Sequence, residues 1–240
     1  MIAVILAAGQ GKRFNGLNKP KGFLNIYHKK LIQYSLENIR RIGIKKVIIA
    51  TGYKSEYYDA LCNNSIELYG LEIKTVFNEK YKVSGSMYSL YNLKELINED
   101  FILLDSDIIY DFEGFKEYVE KSSGDSLFIT NASESGDEVY VEIDGDSKFV
   151  NLSKNEEYLK SVSGEFIGIS KVTFKSYSKL ITDFTEQFEI EKNYIFEYDN
   201  MFKIIPNVYC HYLHNYIWSE IDNDRQLEIV INQIYPKLDL

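Results

Sequence analysis

The sequence has little cysteine, proline and tryptophan, and no excess of positive charge. Its 240 residues include two cysteines, Cys62 and Cys210, three prolines and one tryptophan. Neither cysteine belongs to a CxxC pair, so no zinc or redox centre is predicted. The formal net charge of −9 argues against a nucleic-acid surface, which needs clustered Lys and Arg. It does not argue against binding one small anion, which needs only a few local cations.

Long apolar runs are also missing. No run approaches the roughly 20 residues that span a membrane, so we predict no membrane segment. The apolar segment 2–8 is short, has no basic region before it, and is followed by Gly9, Lys12 and Arg13. It is therefore predicted to be a buried strand rather than a secretion signal. Together with the low cysteine content, these features predict a cytoplasmic protein.

The first half of the chain alternates strand and helix patterns. The whole chain is 45% hydrophobic, which is enough for a sizeable core. Strands are predicted at 2–7, 46–51, 72–78 and 101–105, and helices at 31–42, 55–61 and 86–97. This order predicts an α/β fold with a mostly parallel, Rossmann-like mixed sheet and helices on both faces.

The second half has a different pattern. Residues 139–143 and 148–152 flank Asp144-Gly145-Asp146, which indicates a β-hairpin. Further strands are predicted at 166–170, 208–212 and 218–221, and helices at 174–184 and 225–234. We predict one domain, residues 1–240, with a parallel-sheet half (1–125) and a mixed, hairpin-bearing half (126–240).

The segment from Leu6 to Arg13, LAAGQGKR, is the most informative stretch. A buried strand runs into a turn with two glycines, which let backbone N–H groups face phosphate oxygens. The planar guanidinium of Arg13 also matches phosphate. A P-loop would need Gly at position 6 and Ser or Thr at position 13, where this chain has Leu6 and Arg13. A dinucleotide-binding motif would need Gly at position 14, where this chain has Phe14. Both familiar motifs are therefore excluded.

Two carboxylates follow predicted strands that are far apart in sequence. Asp107 lies just past the strand 101–105, in the group Asp105-Ser106-Asp107, and Asp222 ends the segment 218–221. Strand ends of a parallel sheet can meet at one edge, and Mg²⁺ prefers oxygen ligands. The alternatives are a solvated turn at 105–107 and a helix N-cap at Asp222, before the helix near Arg225.

The glycine loop and the following Lys19-Pro20-Lys21 resemble the L-A-A-G-x-G-x-R signature of sugar- and alcohol-phosphate nucleotidyltransferases. The implied fold is nucleotide-diphospho-sugar-transferase-like. Within this superfamily, the chain looks most like small cytidylyltransferases for phosphocholine, 2-aminoethylphosphonate or phosphoglutamine. The segments that resemble theirs are 76–81, 86–91, 163–168, 198–201 and 218–222. The loop between Arg13 and Lys19 is shorter than the corresponding loop of hexose-1-phosphate enzymes. This difference argues against a sugar phosphate as the acceptor.

The resemblance implies a Mg²⁺-dependent transfer of CMP from CTP to a small phosphorylated or phosphonylated acceptor, with release of pyrophosphate. It implies Arg13 and Lys21 as catalytic residues and Asp107 and Asp222 as metal ligands. Asp105 is either a ligand or a neighbouring acceptor. The expected nucleotide-binding residues are Leu6, Ala7, Ala8, Gly9, Gly11, Lys12, Arg13, Asn78, Gly85, Ser86 and Asp105. The expected acceptor-binding residues are Tyr88, Glu165, Tyr198, Asp199 and Trp218.

Other functions remain open at this stage. A sugar-1-phosphate nucleotidyltransferase would share the same loop, and Asp-x-Asp is also the metal motif of many nucleotide-sugar glycosyltransferases. A non-catalytic regulatory subunit would require loss of the cationic or metal-binding positions, which are all present. The three histidines, His28, His211 and His214, are predicted to have structural or surface roles. The tyrosine-rich composition permits a homodimer without requiring one.

Overall fold

The computed structural model describes residues 1–14, 16–63, 65–133 and 135–239. The strands are β1 (Ile2–Ala7), β2 (Asn25–Ile26), β3 (Lys29–Lys30), β4 (Lys46–Thr51), β5 (Glu72–Phe77), β6 (Phe101–Asp105), β7 (Ile108–Tyr110), β8 (Ser126–Thr130), β9 (Tyr140–Ile143), β10 (Phe149–Ser153), β11 (Gly164–Val172), β12 (Tyr209–Tyr212) and β13 (Trp218–Glu220). The α-helices are α1 (Leu31–Arg41), α2 (Glu56–Cys62), α3 (Ser65–Tyr69), α4 (Ser86–Tyr91), α5 (Phe112–Lys121), α6 (Phe174–Thr185) and α7 (Asp224–Ile229). Short 3₁₀ turns lie at Lys21–Phe23, Glu156–Tyr158, Tyr198–Lys203 and Tyr235–Lys237, and π-helical turns follow α6 and α7.

The main sheet is parallel in its first half and mostly antiparallel in its second. Within the described residues it has nine strands, in the order β10-β9-β11-β6-β1-β4-β5, with β8 beside β11 and β12 beside β8. The strands β6, β1, β4 and β5 are parallel. The strand β11 is antiparallel to β6, β8 and β9. The predicted fold class is therefore confirmed, and the change of pattern lies near residue 125.

Alternating side chains of the central strands pack on the two faces of the sheet. In β1, Ile2, Val4 and Leu6 join one apolar cluster, while Ala3, Ile5 and Ala7 join the other. Successive side chains of the strand point to opposite faces, and both faces are covered. The strand is therefore apolar at every position. All six residues are buried, so the strand holds the following glycine loop on a rigid support.

Several predicted elements have different bounds in the structure, and two of them are informative. The helix predicted at 86–97 ends at Tyr91, and the chain continues in tighter turns, with Leu93 N–H donating to Leu90 O at 3.2 Å. Leu93 and Ile97 are buried, so the helix-like spacing of apolar residues extends beyond the end of the α-helix. This spacing made the predicted helix too long. The strand predicted at 166–170 extends over Gly164–Val172, because it pairs with three neighbouring strands.

A small two-stranded ribbon lies beside the main sheet and matters for the site. β13 pairs antiparallel with β7, with Trp218 opposite Tyr110 and Glu220 opposite Ile108. Just past the ribbon, Ile221 N–H donates to Asp107 O at 2.8 Å. The ribbon therefore brings residue 222 next to residue 107, although more than a hundred residues separate them.

Candidate active site

The glycine loop runs along the carboxyl edge of the parallel strands. It leaves β1 and is held on both sides, with Ser106 N–H donating to Leu6 O at 3.2 Å and Tyr53 N–H donating to Ala8 O at 3.1 Å. Gly11 has φ +60°, a left-handed conformation that glycine adopts without strain. The loop thus lies in a groove between the ends of its two neighbouring strands, where this class of sheet binds ligands.

A cleft with a volume of about 350 Å³ opens at this edge. Thirteen of the predicted site residues line it: Leu6, Ala7, Ala8, Gly9, Lys21, Asn78, Gly85, Ser86, Asp105, Asp107, Tyr198, Asp199 and Trp218. A second hollow lies beside it, lined by the loop residues 9–13 together with Lys21 and Asp222. Lys21 lines both, so it lies at the boundary between the two spaces.

The centre of the site is an ion-pair cluster around Lys21. Its Nζ donates to Asp107 Oδ2 and to Asp222 Oδ1. Burial lowers the pKa of Lys21, but the two carboxylates outweigh burial and raise it well above its usual value. The ammonium therefore stays charged. On the other side of Asp222, Arg13 Nη1 lies 3.0 Å from Oδ2 and also pairs with Asp137.

A third carboxylate, Glu220, joins this cluster. Oxygen atoms of Asp107, Glu220 and Asp222 all lie within 4.8 Å of one another. Asp222 is only 1% exposed, and its Oδ2 lies beside the Arg13 guanidinium but accepts no hydrogen bond of ordinary geometry from the described part of the chain. Three hard oxygen donors this close together fit a divalent cation such as Mg²⁺. The sequence analysis missed Glu220, although its place two residues before Asp222 on a strand was a usable signal.

The helix-cap interpretation of Asp222 is wrong. The N-cap of α7 is Asn223, whose side chain accepts from Gln226 N–H at 3.0 Å. Asp222 instead points its carboxylate at Lys21 and Arg13.

Asp105 is separate from the three-carboxylate cluster, because its Oδ2 accepts a hydrogen bond from Tyr198 Oη at 2.9 Å. Burial and the nearby Asp107 raise the pKa of Asp105 well above its usual value.

Two residues predicted for nucleotide recognition have their side chains engaged within the protein. The amide of Asn78 donates to Ser84 Oγ at 3.0 Å and Ser89 Oγ at 2.9 Å, and its oxygen accepts from Lys80 N–H. The hydroxyl of Ser86 donates to Glu197 Oε2 and accepts from Tyr198 N–H. Both residues line the cleft and also hold its wall in place.

Two predicted acceptor-binding residues do not line either hollow. Tyr88 packs its ring against Phe188 and Tyr194, 5.2 Å and 4.7 Å between centroids, on the outer side of α4. Glu165 is buried and accepts hydrogen bonds from the backbone N–H and hydroxyl of Ser133. The structure therefore places both side chains away from the cleft, where Tyr88 packs against aromatic rings and Glu165 is held by Ser133, and their acceptor-binding roles stay predictions.

Several residues that line the cleft were not predicted. Tyr58, from α2, is 1% exposed and accepts a backbone hydrogen bond from Gly22, next to Lys21. Lys154 Nζ pairs with Asp137 Oδ1 at 2.8 Å, and both residues line the cleft. The remaining members of this group are Tyr81, Ser84, Ser89, Ser106, Ile108, Val139, Phe166, Ile167, Gly168 and Glu197. Tyr81, Ser89, Phe166, Ile167 and Gly168 fall within the family-like segments, but only the folded chain shows that they line the cleft.

A close backbone contact fixes one wall of the cleft. A Cβ added at Gly85 would lie 2.2 Å from Phe196 O, and Gly85 N–H donates to Tyr194 O at 2.7 Å. We expect Gly85→Ala to lower the unfolding free energy by about 1 to 3 kcal/mol, because the backbones must move apart. Chemical denaturation measures this. Gly145→Ala is the control, since an added Cβ there meets nothing within 4 Å; equal effects of the two changes would contradict the prediction.

The buried carboxyl of Glu165 makes the stability depend on pH. Burial raises its pKa to about 7 from an ordinary 4.5, with Glu138 and Asp137 adding to the rise while Ser133 opposes it. Because the folded state holds this proton more tightly, its stabilisation is full below pH 4.5 and is lost as the pH rises towards 7. Glu165→Gln should keep the contact with Ser133 and abolish this pH-dependent loss of stability. We expect the variant to gain about 1 to 3 kcal/mol over the parent between pH 4.5 and 8, measured by urea unfolding. A constant difference across this range would contradict it.

The fold and the site together define a class of protein. A glycine turn with two cations lies beside a cluster of carboxylates at the carboxyl edge of a parallel sheet, an arrangement that is suited to phosphate groups. Residues 2–137 match the family model described as nucleotidyl transferase. The chain therefore belongs to the nucleotidyl transferase family, which confirms the resemblance noted from the glycine loop.

Curated relatives and solved structures agree with this assignment. The chain is 38% identical to the choline-phosphate cytidylyltransferase of Streptococcus pneumoniae over 105 residues, 43% of each protein, so the match spans less than half of that relative. It is 25% identical to the CTP:phosphoglutamine cytidylyltransferase of Campylobacter jejuni, over 82% of this chain and 76% of that one. The structure of the CTP:phosphocholine cytidylyltransferase of Streptococcus pneumoniae superposes with a TM-score of 0.76 at 26% identity, covering 96% of this chain and 97% of that one. The inositol-1-phosphate CTP transferase of T. maritima, at 18% identity and a TM-score of 0.78 over 99% and 97% of the chains, shares the fold.

No helix in the described ranges is both long enough and apolar enough to cross a membrane.

Proposed function

We propose that the protein is a Mg²⁺-dependent cytidylyltransferase that transfers CMP from CTP to a small phosphorylated or phosphonylated acceptor. The observation that carries this proposal is the meeting of Lys21 and Arg13 with Asp107 and Asp222 beside the glycine turn. The relatives with the same family fold that act on phosphocholine and phosphoglutamine support cytidine and a phosphorylated acceptor. The family match at residues 2–137 favours nucleotidyl transfer over glycosyl transfer.

In the proposed reaction, an oxygen of the acceptor phosphate attacks the α-phosphorus of CTP. The P–O bond to the β-phosphate breaks, and pyrophosphate leaves with the electron pair. The nucleophile is already anionic at neutral pH, so no side chain needs to remove a proton. Two anions must approach each other, and the protein's task is charge neutralisation and alignment.

The cationic side chains divide this task. Arg13 and Lys12 would hold the β- and γ-phosphates, since both line the hollow next to the glycine turn. Lys21 would bridge the α-phosphate and the acceptor phosphate, because it lies between this hollow and the main cleft. Asp107, Glu220 and Asp222 would hold Mg²⁺, which supplies charge stabilisation at the α-phosphate when bound.

The acceptor would lie in the main cleft on the side of Asp199 and Trp218. Glu197 and Asp137 add further carboxylates there, and Lys154 adds one cation. Carboxylates with an aromatic ring suit a cationic head, and a lysine suits the phosphate of the same small molecule. The three acceptors that fit this chemistry are phosphocholine, 2-aminoethylphosphonate and phosphoglutamine.

The test is pyrophosphate release with a panel of nucleotides and acceptors. Each of CTP, UTP, ATP and GTP is incubated with Mg²⁺ and phosphocholine, 2-aminoethylphosphonate, phosphoglutamine, inositol 1-phosphate or glucose 1-phosphate, and products are identified by ³¹P NMR. We expect turnover with CTP and one of the first three acceptors, and none when Mg²⁺ or the acceptor is omitted. Turnover only with another nucleotide, only with a sugar phosphate, or with no pair would refute the proposal.

A further inference from the structure

The ammonium of Lys21 lies where the carboxylates would bind a divalent cation. It donates to one oxygen of Asp107 and one of Asp222, two of the three carboxylates in the cluster. The Lys21 and Asp107 side chains are each 14% exposed, and that of Asp222 is 1% exposed. The three groups are therefore held together with little water between them, and their charges interact strongly.

The second oxygen of Asp222 also faces a cation. Arg13 Nη1 lies 3.0 Å from Asp222 Oδ2. A divalent cation that entered alone would take the same oxygens while two positive side chains remained in contact with them. Since like charges at contact distance repel strongly in a partly buried site, metal binding requires Lys21 to move away.

A triphosphate offers both cations another partner. Lys21 and Arg13 line the hollow beside the glycine turn, and Lys21 also lines the main cleft. Phosphate oxygens in that hollow would accept from the guanidinium and the ammonium at short range. The carboxylate oxygens would then be available, and the nucleotide phosphates would complete the set of oxygen ligands that Mg²⁺ prefers.

We propose that Lys21 is the counter-ion of the acidic cluster in the protein without nucleotide, and that it excludes free divalent cations until a nucleoside triphosphate draws it away. This inference rests on the proposed function, because it uses the same carboxylates as metal ligands. It assigns Lys21 a second role, in which its ammonium exchanges the carboxylates of the cluster for the phosphates of the nucleotide. The metal accordingly enters with the nucleotide rather than before it.

The test measures Mn²⁺ binding to the full chain without nucleotide, by electron paramagnetic resonance of free Mn²⁺. We expect Lys21→Met to bind Mn²⁺ at least about tenfold more tightly than the parent, because the competing charge is gone. Lys21→Arg keeps the charge and should stay within about threefold of the parent. Lys12→Met is the matched control, since Lys12 forms no ion pair with the three carboxylates in the described part of the chain; it should also stay within about threefold.

A second measurement avoids substitution altogether. Brief acetylation with acetic anhydride, followed by mass spectrometry, reports how accessible the Lys21 amine is in the parent protein. The ion pairs with Asp107 and Asp222 should protect it, and Mn²⁺ at concentrations that fill the site should increase its labelling. Labelling of Lys175, an exposed residue on α6, serves as the internal reference for differences in the reactivity of acetic anhydride between samples.

The outcomes separate this inference from the proposed function. If Lys21→Met binds Mn²⁺ no more tightly than the parent, or if Mn²⁺ fills the parent site without exposing Lys21, the inference is overturned and the metal site stands. If neither protein binds Mn²⁺ even at millimolar concentration, the metal site itself is refuted, and the inference falls with it. Tighter binding to Lys21→Met together with metal-dependent labelling of the parent supports it.

Discussion

Replacing Lys21 with Met is expected to lower kcat/KM by about 10³-fold, or about 4 kcal/mol of transition-state stabilisation. Lys21 is the cation in contact with both Asp107 and Asp222, at the boundary of the two hollows that the proposed substrates would share. In the proposed reaction its charge would offset repulsion between the acceptor phosphate and the α-phosphate. Steady-state kinetics with saturating CTP and the accepted acceptor measure the loss, which should appear mainly in kcat.

Controls separate this effect from loss of folding. Met leaves two carboxylates without their partner, so thermal unfolding of Lys21→Met must be recorded beside its kinetics. Lys175→Met removes an equal charge from an exposed helical position and should leave kcat/KM unchanged. A folded Lys21→Met enzyme that retains a tenth or more of the parent kcat/KM would show that another group neutralises the reacting phosphates.

The second large effect is expected from Asp222→Asn. Asp222 is the most buried carboxylate of the cluster and contacts both Lys21 and Arg13. Asn keeps the size and one oxygen but removes the charge, so it weakens the hold on Mg²⁺ and misplaces both cations. We expect kcat/KM to fall by about 10³-fold or more, with a higher Mg²⁺ concentration required for half-maximal activity.

A Mg²⁺ titration of activity distinguishes the causes. Asp183→Asn, on the exposed side of α6, changes the same charge far from the site and serves as the control. Partial recovery of Asp222→Asn at high Mg²⁺ would agree with a weakened metal site. An unchanged Mg²⁺ requirement in an otherwise active variant would mean that Asp222 is not a ligand, and would leave Asp107 and Glu220 without the partner that the proposed site needs.

The agreement between sequence and structure is best where the information is local. The bounds of β1, β4 and β6 are those that the apolar runs predict, since each is a buried strand with a clear turn after it. The glycine loop indicated the family correctly because the turn, the glycines and the cations are nearly consecutive residues. Residues chosen from weaker local patterns fared worse: Tyr88 and Glu165 lie away from the cleft, because a side chain's direction depends on the packing of its whole element.

The sequence by itself determined the mostly parallel α/β architecture, the glycine turn after the first strand and the identity of the principal charged residues. Tertiary structure decided how those residues meet. Pairing of β13 with β7 brings Asp222 to Asp107 and adds Glu220 to them, and the packing of α2 brings Tyr58 beside Gly22. Strand pairing between distant segments depends on contacts made along the whole chain, so no short stretch of sequence specifies which carboxylates will lie together.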